Sequence, residues 1–194
     1  MKTDAMVLNN GKKVNLAGNW KLLINERAND RIAFAGARRG VTEASRAWIK
    51  EMVAKLDSDK HILVSGLAVG SDTYAHEAAL ENGIPQVAVL PSGVLNIYPR
   101  QNRNLAAAII KNGGVLVSLL PNKAAPSRTT FLERNKLIMD LAAVLAVNQF
   151  NLKSGTRHTV EHAKKQGKLI VVQNGNYTGN KYIIKDGAYR TAVM

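Results

Sequence analysis

The sequence predicts a Rossmann-like α/β domain with a doubly wound, mostly parallel sheet and a short C-terminal hairpin. From Arg31 onward, short β-rich apolar runs alternate with amphipathic helical stretches. The apolar runs are nearly continuous, which is typical of strands covered on both faces. Strands separated by helices indicate βαβ units, right-handed crossovers and a parallel sheet.

The predicted elements follow one another as successive βαβ units do. The strands are expected at residues 32–35, 62–65, 86–90, 115–119, 144–148 and 169–172. The helices are expected at residues 43–56, 72–82, 102–111, 131–142 and 158–166. Each helix lies between two strands, so we expect each to pack on one face of the sheet.

The two ends of the chain depart from this pattern. Residues 1–30 are mixed in character and predict an N-terminal extension or packing arm, in which residues 16–24 form a short helix. Residues 31–194 then form the Rossmann-like domain. The dipeptides Gly179-Asn180 and Asp186-Gly187 favour turns around residues 181–185, which predicts the C-terminal hairpin.

Composition restricts the partners that the protein is expected to bind. Lys and Arg total 27 against 14 Asp and Glu, so the formal net charge is +13. Such an excess favours an anionic partner, most often nucleic acid, although charge also serves solubility. The absence of cysteine excludes disulfides and thiolate metal sites. The longest apolar run, residues 141–147, is too short to cross a bilayer, so we expect a cytoplasmic protein with no membrane partner.

Ligands of such sheets bind at the carboxyl ends of the strands, where this sequence places its unusual residues. Gly36, Arg38 and Arg39 follow the first strand. A small residue lets the backbone approach a phosphate, and the arginines add bidentate donors. The segment is not the glycine pattern of dinucleotide-binding proteins, so no cofactor is expected. The alternative is a solvent-facing turn with two incidental arginines.

The second strand leads into another candidate anion cradle, formed by Ser65, Gly66 and Gly70. Ser71 or Asp72 is expected to cap the following helix. Asp72 and His76 lie four residues apart on one helical face. We favour a capping and orienting pair over a catalytic pair, because the local sequence implies no nucleophile.

The loops after the third and fourth strands carry aromatic and basic residues together. Tyr98 lies in the loop 91–103, which suits either a nucleic-acid groove or a packed loop that plugs the core. In the next loop a base could stack on Phe131 while Arg128 contacts phosphate. Arg134 and Lys136 add to this basic cluster. The alternative places Phe131 in the core and pairs Arg134 with a carboxylate.

The fifth loop predicts a further anion cradle at a strand-to-helix turn, formed by Ser154, Gly155 and Thr156. Capping of the following helix by Ser154 or Thr156 is the alternative. The four histidines lack the grouping of a metal site, so no metal is expected.

Taken together, these loops resemble the DNA-processing protein A (DprA/Smf) family over residues 31–192. The resemblance is carried by Gly36-Ala37-Arg38, Ser65-Gly66-Leu67-Ala68, Gly70, Asp72, Ala75, His76, Ala88-Val89-Leu90, Gly93, Tyr98-Pro99, Asn102, Phe131, Arg134-Asn135, Ser154-Gly155, Thr159, Ala163, Gly179-Asn180 and Asp186-Gly187-Ala188.

The resemblance implies a Rossmann-like fold that binds single-stranded DNA, generally as a homodimer, and loads a RecA-type recombinase. By position, Arg38 matches the family's DNA-contacting arginine, while Arg128 and Phe131 match a basic and an aromatic contact. No cofactor and no catalytic activity are implied. Two departures remove acids that the family commonly has: Leu119 and Asn148 stand in place of glutamates.

Three hypotheses about function follow. The first is a non-catalytic recombination mediator that binds single-stranded DNA. The second is a nucleotide-binding enzyme or sensor similar to nucleoside monophosphate hydrolases, with residues 154–156 as the phosphate cradle and Glu161 as the acid. The third is a structural module that binds a protein partner.

Overall fold

The computed structural model describes residues 2–24, 29–185 and 191–193, the last three by their backbone alone. Its strands are β1 Asp4–Val7, β2 Lys13–Gly18, β3 Arg31–Ala35, β4 Ile62–Ser65, β5 Gln86–Val89, β6 Val115–Ser118, β7 Val144–Val147, β8 Leu169–Val172 and β9 Thr191–Val193. Its α-helices are α1 Glu43–Ala54, α2 Ser71–Glu81, α3 Arg103–Lys111, α4 Arg128–Leu141, α5 Thr156–Lys165 and α6 Thr178–Lys185. Short 3-10 helices include those at Trp20–Leu23 and Arg100–Asn102.

In the described part of the chain the strands form one nine-stranded sheet in the order β1-β2-β6-β5-β4-β3-β7-β8-β9. The strands from β6 to β9 in this order are parallel, and β2 and β1 add an antiparallel edge. From β3 the chain adds β4, β5 and β6 in turn on one side, and it then returns to place β7 beside β3 on the other side. The strand order therefore switches between β3 and β7, as in doubly wound sheets. The predicted fold class is confirmed.

Helices cover both faces of the parallel strands. Leu63 in β4 belongs to the apolar cluster beneath α1 and α2. Its neighbour Val64 belongs to the cluster beneath α4, α5 and α6 on the opposite face of the sheet. A third cluster, on the same face as Leu63, is covered by α3. Because successive side chains of a strand point to opposite faces and both faces are covered, each position of β4 is buried, and its first three residues are apolar. The predicted strands and helices between residues 31 and 172 are present, with small differences at their ends.

The helix expected over residues 16–24 is wrong in its first part. Residues up to Gly18 belong to β2, which pairs antiparallel with β6, and a 3-10 helix follows at Trp20–Leu23. Leu16 and Ala17 are both buried, one on each side of the sheet. The apolar run is therefore a two-faced strand, and only the pairing with β6 distinguishes it from a short buried helix.

The predicted C-terminal hairpin is also wrong, because residues Thr178–Lys185 form α6 and β9 pairs parallel with β8. The dipeptide Gly179-Asn180 lies in the first turn of α6. A Cβ built on Gly179 would lie 2.4 Å from the ring of Phe150, so the glycine permits close packing rather than a turn. The second dipeptide, Asp186-Gly187, lies outside the described residues.

Asn180 supplies the physical reason for this arrangement. Its buried amide donates to the carbonyls of Asn148 and Gln173, both at 2.8 Å, and its Oδ1 accepts the amide of Phe150 at 3.1 Å. One side chain thus ties α6 to the ends of β7 and β8.

Replacing Asn180 by Ala is expected to lower the free energy of unfolding by about 2 kcal/mol or more, because buried backbone groups lose their partners. Urea unfolding followed by circular dichroism measures the change. Asn176→Ala, at an exposed asparagine four residues earlier, is the matched control. Equal midpoints for the two variants would contradict the structural role of Asn180.

Candidate functional site

The loops that follow β3 to β7 meet at one edge of the sheet, here called the carboxyl edge. At the switch between β3 and β7, a Cβ built on Gly36 would lie 1.5 Å from Oδ1 of Asn148 and 2.5 Å from Oγ of Ser71. Any side chain at residue 36 would therefore displace its neighbours. The first loop also packs against the start of α2, since the amide and hydroxyl of Ser71 both donate to Ala37 O at 3.0 Å.

Gly70 completes this contact between the first two loops. Its φ is +81°, and a Cβ there would lie 2.4 Å from the carbonyl oxygen of Ala37. Gly70 is the N-cap of α2, so the expectation that Ser71 or Asp72 caps this helix is wrong. The tight packing leaves Arg38 and Arg39 exposed at the carboxyl edge.

Arg134 lies below the surface, with 4% of its area exposed. Its Nη1 is 3.3 Å from Oδ2 of Asp72, and that oxygen also accepts the amide of Ala68 at 3.2 Å. A Cβ on Gly66 would lie 1.1 Å from the same Nη1, so the guanidinium occupies the space above this glycine. Burial lowers the pKa of Arg134, and the charge of Asp72 partly offsets that effect. Arg134 therefore pairs with a carboxylate, as the alternative interpretation has it.

His76 and Asp72 face different partners. The imidazole of His76 is fully buried, and its Nδ1 lies 2.8 Å from the side-chain amide of Gln86. Burial lowers the pKa of His76 below its ordinary value of 6.5. In the part of the chain that the structure describes, no hydrogen bond joins His76 to Asp72. Asp72 and His76 thus have separate hydrogen-bond partners, Arg134 with Ala68 for the carboxylate and Gln86 for the imidazole.

A groove of about 270 Å³ opens at the carboxyl edge. It is lined by Arg38, Arg39, Gly66, Ala68, Val69, Pro91, Tyr98, Pro99, Gln101, Phe131 and Arg134. The Cζ atom of Arg38 lies 5.1 Å from the ring centroid of Phe131. The ring of Tyr98 lies 5.6 Å from that of Phe131, at an interplanar angle of 72°. Tyr98 is 42% exposed, so it does not plug the core.

The first turn of α4 positions two of the predicted basic residues. Ser127 and Thr130 form a reciprocal capping box, with Ser127 N donating to Thr130 Oγ1 at 2.8 Å. This cap starts α4 at Arg128 rather than at Phe131, and the Ser-x-x-Thr spacing was the signal for it. Arg128 is exposed at the start of the helix. Lys136 is also exposed, but it lies about 12 Å further along the helix axis and outside the groove lining.

The start of α5 closes the other side of the switch point. Oγ1 of Thr156 donates to the carbonyl of Gly36 at 2.7 Å, and Nδ2 of Asn135 donates to the carbonyl of Gly155 at 3.3 Å. Gly155 is the N-cap and has no side-chain cap. A Cβ built on Gly155 would lie 4.0 Å from Nη2 of Arg38. Arg38 thus lies between the groove and the N-terminus of α5.

The structure brings together most of the predicted site residues, at different depths. Ser65 is buried and donates to the carbonyl of Phe34, and Gly66 lies beneath Arg134, so both support the groove floor. Oγ of Ser154 is buried and has no hydrogen-bond partner in the described part of the chain. Gln101 lines the groove and was not predicted as a site residue, and Asn135 was noted only for the family resemblance, because an amide side chain alone carries no signal for a site.

The candidate acid of a nucleotide hydrolase, Glu161, has another partner. Its Oε1 accepts the hydroxyl of Tyr182 on α6 at 3.0 Å. Within the described residues there is no group of three or more metal-ligating side chains, and no helix is long and apolar enough to cross a membrane.

These features define a class of protein: a doubly wound α/β domain that presents arginines and aromatic rings at the carboxyl edge of its sheet. Residues 13–193 match the sequence profile of the family described as DNA recombination-mediator protein A. The chain belongs to this family, and the resemblance expected from the loop residues is confirmed.

Relatives of known identity support the same assignment. Protein Smf of Escherichia coli is 37% identical over 132 residues, which are 65% of this chain and 35% of that protein. The DNA processing protein DprA of Streptococcus pneumoniae is 29% identical over 163 residues, which are 81% of this chain and 57% of that protein. The chain thus spans less than two thirds of the length of these relatives.

A solved structure extends the comparison to the fold. DNA processing protein A from Helicobacter pylori, described for its unique mode of binding single-stranded DNA, matches with a TM-score of 0.85 and 25% identity. The match covers 98% of this chain and 91% of that one.

The stability of the protein is expected to fall as the pH is lowered below about 6.5. Unfolded His76 takes up a proton there, whereas the folded imidazole has a lowered pKa and does not. This one group contributes a slope of up to about 1.4 kcal/mol per pH unit, from 6.5 down to the folded pKa. Urea unfolding between pH 7.5 and 5.5 measures the slope, because this range brackets the ordinary histidine pKa of about 6.5.

His76→Gln is expected to flatten this slope, and His158→Gln, at an exposed histidine, is expected to retain it. If His76→Gln kept the slope of the unmodified protein, another group would be responsible.

Proposed function

We propose that the protein binds single-stranded DNA at its carboxyl edge and acts as a recombination mediator. The observation that carries the proposal is the groove in which Arg38 and Tyr98 both contact Phe131 beside the start of α5. Single strands are bound by combining basic side chains along the backbone with aromatic rings for the bases. The family assignment and the single-stranded DNA binding described for the Helicobacter pylori relative support the same function.

The charge of the carboxyl edge suits a polyanion. Exposed cations occupy its loops and the first turns of the following helices: Arg38, Arg39, Arg100, Arg103, Lys123, Arg128, Lys153 and Arg157. In the described part of the chain, none of these forms an ion pair. Asp72, which lies under the same surface, is already paired with Arg134. The surface cations are thus free to neutralise phosphates.

The predicted site residues take different roles in this proposal. Arg38, Arg39 and Arg128 contact phosphates, and Lys136 extends the basic surface along α4. Arg134 acts from below through Asp72, because its guanidinium is buried. The backbone around Gly36, Gly155 and Thr156, with Ser154, forms an anion cradle at the N-terminus of α5. Ser65, Gly66 and Gly70 shape the floor and the loop contacts that hold this cradle.

As a mediator, the protein is further proposed to act as a homodimer on a RecA-type recombinase without catalytic activity of its own. The family assignment supports this role. Sedimentation equilibrium tests the dimer. Assembly of the recombinase on single-stranded DNA that carries the purified protein is expected to be faster than on bare DNA. No acceleration would contradict a recombinase partner.

The first test is fluorescence anisotropy with a labelled thymidine oligomer and the matching duplex at several salt concentrations. Preference for the single strand is expected, with a salt slope of about −0.7 for each phosphate neutralised. Equal affinity for both DNAs, or no binding at low salt, would contradict the proposal.

Replacing Arg38 by Ala is expected to weaken binding of the thymidine oligomer and to flatten the salt slope by about 0.7, the effect of one phosphate. Lys111→Ala removes the same charge from the exposed end of α3, at the opposite edge of the sheet, and is the matched control. An unchanged slope for Arg38→Ala would place this residue outside the site.

A further inference from the structure

The segment between β3 and α1, residues 36–42, carries both Arg38 and Arg39 and is here called the arginine loop. In the described part of the chain, no backbone hydrogen bond joins two residues of this loop. A segment without internal hydrogen bonds keeps a fixed shape only when other elements hold it. The shape of the arginine loop therefore depends on the groups that bond to it from outside.

Two helices hold the loop on the near side of its arginines. Oγ1 of Thr156 in α5 donates to the carbonyl of Gly36 at 2.7 Å, and the hydroxyl of Ser71 in α2 donates to the carbonyl of Ala37 at 3.0 Å. These bonds fix the chain up to residue 37. They leave the direction of the next residues open, because each residue adds two soft backbone dihedrals.

A single side chain, that of Gln149 after β7, holds the loop on the far side of its arginines. Its Nε2 donates to the carbonyl of Gly40 at 2.7 Å, and its Oε1 accepts the amide of Thr42 at 2.7 Å. Gly40 has a φ of +61°, and glycine is the residue with the most backbone freedom. The two bonds therefore act where the loop would otherwise be least restrained.

The two partners of Gln149 require a side-chain amide. A carbonyl needs a donor and an N–H needs an acceptor, and an amide supplies both, whereas an ionised glutamate only accepts. The side chain of Gln149 is buried, with 8% of the residue exposed, and both of its polar atoms face the arginine loop. Gln149 is therefore placed to act on the loop rather than on a ligand.

The backbone on both sides of Gln149 is anchored to the sheet. The amide of Asn148 donates to the carbonyl of Ala35 at 3.2 Å, and the amide of Phe150 donates to Oδ1 of the buried Asn180 at 3.1 Å. Gln149 thus extends from a fixed point, so its hydrogen bonds transmit the rigidity of the sheet to the loop.

We propose that Gln149 is the positioning residue of the arginine loop, which fixes the turn after Arg38 and Arg39 and so raises the affinity for DNA without contacting it. This inference rests on the proposed function and adds a residue that acts through its arginines. Arginines that are held in place before binding lose less conformational freedom when a phosphate binds, so more of their interaction energy appears as affinity.

The test replaces Gln149 by Met, a side chain of similar length that cannot donate and accepts only weakly. Gly40 and Thr42 are exposed, so water can replace the lost partners and the fold is expected to persist. Binding of the thymidine oligomer is expected to weaken about two- to tenfold, the range expected when a side chain must be ordered on binding. The salt slope is expected to stay unchanged, because both arginines still reach their phosphates.

Gln173→Met is the matched control. Gln173 lies after the neighbouring strand β8 and is similarly buried, but its amide bonds to Ser45 and Ala44 in α1 rather than to the arginine loop. This variant is expected to keep the affinity of the unmodified protein, and circular dichroism checks the fold of each variant. An equal loss of affinity in both variants, or no loss in Gln149→Met, would overturn the inference.

A double-mutant cycle separates positioning from any other effect of the substitution. In a protein that carries Arg38→Ala and Arg39→Ala, adding Gln149→Met is expected to leave the affinity at low salt unchanged, because the loop no longer presents arginines. A loss as large as that in the unmodified background would show that Gln149 acts independently of these arginines, contrary to the proposal.

Hydrogen exchange of the Thr42 amide measures the restraint without DNA. Exchange is expected to be slow in the unmodified protein and in Gln173→Met, and faster in Gln149→Met. Equal exchange in all three proteins would contradict the hold of Gln149 on the loop. Failure of the unmodified protein to bind any oligomer, with the Thr42 amide still protected, would instead overturn the proposed function.

Discussion

The ion pair between Arg134 and Asp72 joins three elements beneath the groove. Arg134 comes from α4 and Asp72 from the first turn of α2, while Gly66 in the loop after β4 leaves room for the guanidinium. Two charges held at 3.3 Å out of water stabilise the fold only when they remain paired, and removal of one partner leaves the other buried without compensation. The pair therefore constrains the loops above it, whatever its net contribution to stability.

Arg134 and Arg38, both at the carboxyl edge, differ in whether a carboxylate neutralises their charge. Arg134 is neutralised from within by Asp72, and its guanidinium forms part of the groove wall. Arg38 has no carboxylate partner in the described chain and instead lies over the ring of Phe131. A cation held against an aromatic ring keeps its charge available to a ligand, because the ring attracts it without neutralising it. Binding at this edge is accordingly expected to be electrostatic in origin and sensitive to salt.

The loop packing explains why the groove is preformed. The first loop rests on Ser71, and the loops after β5 and β6 are hydrogen-bonded through Gly93 and Leu95. Gly36 and Gly70 are glycine because neighbouring atoms leave no room for a side chain at either position. Mutually bonded loops of this kind place the arginines and rings with little freedom, which is how a binding site on loops acquires a fixed geometry.

Much of the fold could be predicted because a parallel sheet covered on both faces produces continuous apolar runs. Those runs located β3 to β8, and the polar, helical stretches between them located α1 to α5. The ends could not be predicted in the same way. The strand assignment of β2 depends on its pairing with β6, and α6 depends on Asn180, whose partners lie up to 32 residues away in the sequence. Local turn signals at Gly179-Asn180 were overridden by that tertiary hydrogen bonding.

For the site, the sequence by itself determined which residues reach the carboxyl edge, because residues that follow parallel strands must meet there. It also determined the excess of positive charge and the family resemblance. Only the tertiary structure decided the depth of each side chain: Arg134 buried on Asp72, Ser65 facing inward, and Tyr98 more exposed than Phe131. Depth depends on contacts between loops that are distant in sequence, and no local pattern of residue types contains that information.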